Sequence, residues 1–162
     1  MTISLERQVE ELLTQGVRKR DIFHRLGKEH DKSKLLFYVN NMTTPGRKNK
    51  YQYFNFFLVL LLAFITAKKL IVIFAALSMT GLMMTLLNLI VPAVNLYVMR
   101  EVLRFRRLGY QFLVVISILS LVQPENHALQ EMIIFVILAA GAAFLYMQIY
   151  PKKEILQSET KQ

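Results

Sequence analysis

The sequence predicts an all-α polytopic membrane protein, with four transmembrane helices and a small N-terminal three-helix cytosolic head. Three observations carry that expectation. Of 162 residues, 54% are hydrophobic and 19% charged, whereas an average globular domain is about a quarter charged. The charges are also unevenly placed. Only nine lie between Tyr51 and Tyr150: Lys68, Lys69, Arg100, Glu101, Arg104, Arg106, Arg107, Glu125 and Glu131. Between them stand apolar runs near the roughly 20 residues that a helix needs to cross about 30 Å of hydrocarbon.

Residues 1–50 form the head and a juxtamembrane linker. Leu5, Val9, Leu12 and Leu13 follow the i, i+4, i+7, i+8 spacing of an amphipathic helix, and Gly16 suits the position just past its end. Val17 to Leu26 repeats the pattern with Ile22, Phe23 and Leu26 and stops at Gly27. Asp31 fits the N-cap of a third helix bearing Leu35, Leu36 and Val39. Thr43-Thr44-Pro45-Gly46 ends that helix, and Arg47, Lys48 and Lys50 lead into the bilayer.

Within residues 5–42, the stretch ELLTQGVRKRDIFHRLGKEHDKSKLLFYV resembles a helix-turn-helix segment. In DNA-binding members of that class the third helix presents polar residues to the bases. Here Leu35, Leu36, Phe37, Tyr38 and Val39 leave only Lys32, Ser33, Lys34, Asn40 and Asn41 for a groove. Nucleic acid is therefore not the expected partner. The cations Arg18, Lys19, Arg20, Arg25 and Lys28, with Arg104, Arg106 and Arg107, are instead expected to meet phosphates of anionic lipid headgroups, at about 1 kcal/mol per contact. Tethering the head beside the bilayer raises the effective concentration of that partner.

The membrane domain, residues 51–150, is expected to hold spans at 51–67, 70–99, 108–122 and 132–150. The first opens on Tyr51, Tyr53 and Phe54, an interfacial aromatic belt. Lys68 and Lys69 should close it in a tight outer turn. The second, thirty residues without a charge, reads as one tilted helix kinked at Pro92 and continuing into Glu101 to Phe105. The third is the shortest and ends at Gln123-Pro124-Glu125-Asn126; Pro151-Lys152-Lys153 caps the fourth. Residues 151–162 form a polar tail.

Basic residues flanking the spans assign sidedness, since Lys and Arg stay on the cytoplasmic face. Eleven Lys/Arg precede Tyr51, four lie between Arg100 and Arg107, and three follow Tyr150. Only Lys68 and Lys69 fall on the opposite side. Both termini are thus expected to be cytoplasmic in a multi-pass cell-membrane protein, with no cleaved secretory signal, because the first fifty residues lack an apolar core behind a short basic start.

Catalysis is not expected. No cysteine is present, which excludes thiol chemistry and thiolate metal ligation. The four runs hold no Asp, Glu or His, so ion-coupled transport lacks its usual intramembrane group. Ser78, Ser117 and Ser120 have no base, and Glu125, Asn126, His127 and Glu131 do not form a metal motif. No cofactor is implied. In the second run, Ser78, Gly81, Thr85, Asn88, Pro92 and Asn95 are separated by 3, 4, 3, 4 and 3 residues, which places every small or polar side chain on one helix stripe. In lipid such residues meet protein or water. The expected function is a non-enzymatic, self-associating structural or partner-recruiting subunit, a homo-oligomer with a protein partner at its head. The alternatives are an oligomeric channel or membrane-permeabilising effector lined by the stripe, and a membrane-tethered DNA-binding regulator.

Overall fold

The structure, a computed structural model, describes residues 4–123, 128–151 and 154–156, with the side chains of residues 78–80 excepted. The breaker Pro124-Glu125-Asn126, His127, Lys152 and Lys153 lie outside the described residues. Every described element is helical. They are α1 (Leu5–Thr14), α2 (Lys19–Leu26), α3 (Lys32–Asn41), α4 (Pro45–Ala75), α5 (Leu77–Asn88), α6 (Ile90–Leu103), α7 (Arg107–Val122) and α8 (Leu129–Ile149).

Local signals set the N-terminal helices. α1 ends in a Schellman motif: Gly16 takes φ 81°, its N–H bonds the Leu13 carbonyl, and the Val17 N–H reaches back to Leu12. Asp31 caps α3 by accepting from the Ser33 N–H at 2.9 Å. The three helices bury Val9, Leu13, Ile22, Leu35, Val39 and Met42 in a small apolar core. So few buried side chains sustain a free-standing domain only marginally, and this core is completed from outside by Leu156 of the tail.

The second core belongs to the bundle. Leu58, Leu62 and Ile65 of α4, Val98 and Val102 of α6, Tyr110 and Leu113 of α7, and Phe135, Leu138, Leu145 and Ile149 of α8 fill it. The antiparallel pair α7/α8 is its most extensive contact. On the outside, Phe64, Phe74, Leu82, Val122, Leu129 and Met147 stand exposed. In water such a surface would drive association; in acyl chains it is at home. Pro45–Ala75, Gly81–Leu103 and Leu129–Ile149 are long and apolar enough to cross a bilayer, and α7 is a shorter apolar helix. The chain is a multi-pass membrane protein by these elements.

Two sequence expectations are corrected. Lys68 and Lys69 make no turn: α4 runs through both to Ala75. Lysine is a good helix former, and its long stem lets the ammonium reach polar groups from mid-helix. Lys68 pairs with Glu131 of α8, and Lys69 Nζ lies 3.5 Å from Gln123 Oε1. Residues 70–99 are likewise not one helix. Its first six residues belong to α4, a turn at Ala76 follows, Gly81 leaves the helical region at φ 73°, ψ 165°, and Leu89 separates α5 from α6. Pro92 belongs to the last of these breaks. It stands three residues past the Leu89 break in the helical course from Gly81 to Leu103, where its missing N–H leaves the Asn88 carbonyl without the i→i−4 bond.

Candidate functional site: the junction of the N-terminal helices, the bundle and the tail

The bundle has a polar layer at each end. At the proximal end, the ends of α3, α6 and α8 and the starts of α4 and α7 converge on the N-terminal helices. The α6–α7 connection organises this layer. Phe105 takes φ 52°, its N–H bonds the Val102 carbonyl, and the Arg106 N–H bonds Glu101, a second Schellman motif built without glycine. A left-handed phenylalanine costs roughly 1–2 kcal/mol of backbone strain. Two contacts offset it: the ring is only 8% exposed in the bundle core, and the Phe105 carbonyl accepts the Tyr150 hydroxyl.

That hydroxyl also lies 3.2 Å from the Asn41 carbonyl, while Asn41 Oδ1 accepts the Leu108 N–H at 2.9 Å. α3, the α6–α7 turn and the end of α8 are thereby laced together. Deeper in, Tyr110 donates to Asn55 at 2.6 Å, and Asn55 donates to the Val102 carbonyl at 3.0 Å. Around the rim, Glu6 of α1 holds Arg104 at 3.0 Å and pairs with the buried Arg106. Glu10 faces Lys48 at 3.7 Å, and Arg107 donates to the Tyr146 hydroxyl at 2.9 Å. A cleft of about 580 Å³ between α1, α4 and α6 is lined by Glu10, Lys48, Gln52, Tyr53, Asn55 and Arg104.

The predicted cations therefore divide. Arg104, Arg106 and Arg107 are engaged within the chain. Lys19 is buried, its ammonium 5.5 Å above the Tyr150 ring. Burial lowers its pKa to about 8; Glu154 opposes the shift, and Arg47 and Arg107 reinforce it. Arg18 is paired with Asp21 at 3.0 Å but remains exposed, and Arg20, Arg25 and Lys28 are exposed on the N-terminal helices.

The tail closes the site. Arg47 Nη1 donates to Glu154 Oε2 at 2.7 Å and to the Ile149 carbonyl at 2.9 Å, while Nη2 binds the other carboxylate oxygen. Asn40 brackets one residue: its amide nitrogen donates to the Leu156 carbonyl at 2.8 Å, and its oxygen accepts the Leu156 N–H at 2.9 Å.

The stripe of the second run is placed unevenly. Thr85, Pro92 and Asn95 are buried, with Asn95 Nδ2 donating to Thr66 at 3.2 Å and Thr85 to the Gly81 carbonyl at 2.8 Å. Asn88 and Gly81 are exposed. The Ser78 side chain lies outside the described residues. Asn88 lines a far-end cleft of about 420 Å³ with Lys68, Lys69, Gln123 and Glu131. Sequence reasoning missed Asn55 and Tyr110, and it set Asn40 and Asn41 only among the polar side chains left for a nucleic-acid groove, not at this junction. The usable signal for Asn55 was an amide standing inside an apolar run, which lipid does not tolerate unpaired; nothing local marked the other three. Among the described residues, no three His, Asp or Glu side chains converge to hold a metal ion. Comparisons with protein-family models, curated proteins and solved structures find no match to this chain.

Proposed function

We propose that the chain is a non-enzymatic four-pass membrane protein that self-associates and recruits a partner at the cytoplasmic face, where both termini lie. The observation that carries this reading is the docking of α1, α3 and the tail on one end of the bundle, through Glu6–Arg106, Asn40–Leu156 and Arg47–Glu154. N- and C-terminal segments that touch must share a side of the membrane. That side holds eighteen of the twenty basic residues, the mark of a cytoplasmic face.

The geometry of α7 supports a fourth crossing. Arg107, at its start, meets Tyr146 near the end of α8, and Gln123, just past its end, meets Lys69 of α4. Sixteen residues at 1.5 Å rise cover about 24 Å, and α8 needs about the same length between Glu131 and Tyr146. Both helices join the same two polar layers. Exposed Arg18, Arg20, Arg25 and Lys28 suit anionic headgroups, and the open part of the stripe, Gly81 and Asn88, suits contact with a second copy. A pore would have to be lined from that same open part, because Thr85, Pro92 and Asn95 are buried within the chain.

The natural absence of cysteine makes the test clean. Single cysteines at Lys28 and Gln123 should be labelled by an impermeant maleimide from opposite sides, Gln123→Cys on intact cells and Lys28→Cys only after permeabilisation. The reverse pattern, or labelling of both from one side, would refute the topology. A monomeric mass for the detergent-solubilised particle at every concentration would remove self-association.

A further inference from the structure

We propose that Asn40 and Arg47, with the apolar surface of the N-terminal helices, form a peptide-docking site for a partner protein, occupied in cis by Glu154-Ile155-Leu156. The segment recognised carries a carboxylate two residues before a leucine. The inference deepens the partner-recruiting reading above and rests on it.

Three contacts make the site. Asn40 meets both the N–H and the carbonyl of Leu156, at 2.9 and 2.8 Å. A side-chain amide that satisfies both backbone groups of one residue copies the pairing by which strand-adding domains hold peptides, and it is indifferent to the side chain carried there. Arg47 supplies selectivity: both of its terminal nitrogens bind the Glu154 carboxylate, a fork geometry that distinguishes a carboxylate from a neutral amide. The Lys19 ammonium adds positive potential, being in the electrostatic range of Glu154. Leu156 provides the third contact by packing on the core of Val9, Leu13, Ile22, Leu35 and Val39.

The same contacts show why the tail can yield. Glu154 is exposed and Leu156 only half-buried, so the tail is held by few groups. Its hold comes from the tether: Tyr150, four residues before Glu154, is buried with its hydroxyl between two carbonyls. A short link gives a millimolar-range effective concentration without any strong contact. A partner segment that repeats the carboxylate and the leucine and adds contacts of its own, for instance to the rim cations, displaces the tail.

The test uses the full chain in detergent micelles, a fluorescent peptide of residues 151–158 as the partner surrogate, and anisotropy as the readout. The double substitution Glu154→Ala/Leu156→Ser unlatches the tail and leaves the docking surface intact. It should bind the peptide at least about tenfold more tightly than the natural chain, in which the tail competes. A peptide with the same two substitutions should not bind. Adding Asn40→Ala should abolish binding while melting temperature and particle mass stay constant. The proposal is overturned if the unlatched chain, folded and of unchanged mass, shows no saturable binding, or if natural and unlatched chains bind alike. It is also overturned if cysteines at Asn40 and Leu156 cross-link only between copies, which would assign the site to tail exchange. Peptide binding and particle mass are independent readouts, so loss of one separates failure of this site from failure of self-association.

Discussion

The Tyr110 hydroxyl of α7 donates to Asn55 of α4 at 2.6 Å, with both side chains sealed inside the bundle. Asn55 passes the connection on to the Val102 carbonyl of α6, so a single amide ties three helices. Where neighbouring groups are hydrocarbon and no water competes, such a bond sets orientation as well as depth. It holds the α6–α7 turn, and with it the floor of the junction, against α4.

Removing the donor should therefore be costly. Tyr110→Phe leaves Asn55 Oδ1 buried without a partner, at about 1–3 kcal/mol. Asn55→Leu should cost at least as much, since it breaks the bonds to both Tyr110 and Val102 and leaves the Tyr110 hydroxyl buried without a partner. Thermal unfolding in detergent compares the two, and an unchanged melting temperature for Tyr110→Phe would show that the bond contributes nothing.

Gly109 has a steric role. A Cβ there would lie 2.8 Å from the backbone of Glu101 and Val102, atoms that cannot step aside as a side chain could. Gly109→Ala should cost about 1–3 kcal/mol by overpacking. Gly46→Ala, where nothing stands within 4 Å, should be neutral or stabilising by up to about 1 kcal/mol from helix propensity. Equal melting temperatures for the two variants would contradict the close approach of α6 and α7.

Lys19 links stability to pH. Burial lowers its pKa from 10.5 to about 8 in the folded chain, so the unfolded chain binds the proton more tightly. Stability from this group is then lowest and flat below pH 8 and rises as pH climbs towards 10.5, by a total on the order of 3 kcal/mol. Lys19→Met should lose that rise and be the more stable variant at pH 7. Denaturation curves of both chains at pH 7 and 9.5 provide the check; a difference independent of pH would refute it.

Asn88 and Asn95 should respond differently to substitution. Asn95 bonds Thr66 within the chain and keeps a buried Oδ1 without a hydrogen bond. Asn95→Leu should leave particle mass unaltered and shift stability by less than about 1–2 kcal/mol. Asn88→Leu, on the exposed part of the stripe, should lower the mass of the detergent-solubilised particle. The opposite result, mass lost only with Asn95→Leu, would move the interface to the other end of the run.

Two helix ends show how far local reading reaches. Gly16 was legible as a terminator because glycine alone takes a left-handed φ without strain. Phe105 closes α6 with the same hydrogen-bond pattern, yet no residue scale nominates phenylalanine for that role. Its strain is tolerated because Tyr150, forty-five positions away, binds its carbonyl and the bundle buries its ring. The three small helices and the cap at Asp31 followed from apolar spacing and short-range bonds. Asn40, Asn41 and Asn55 did not, because an asparagine's partner lies in tertiary space.

Composition and periodicity alone determined that the chain is helical, where its apolar lengths lie, and which end gathers the positive charge, because each depends on the solvent that a single helix meets. Tertiary structure alone decided that Lys68 and Lys69 stay inside a helix, that the six-residue stripe is divided between core and surface, and that the tail returns to Asn40 and Arg47. Those outcomes depend on which polar groups find partners once helices pack, and a buried group's pairing is a property of the assembled fold rather than of its neighbours in the chain.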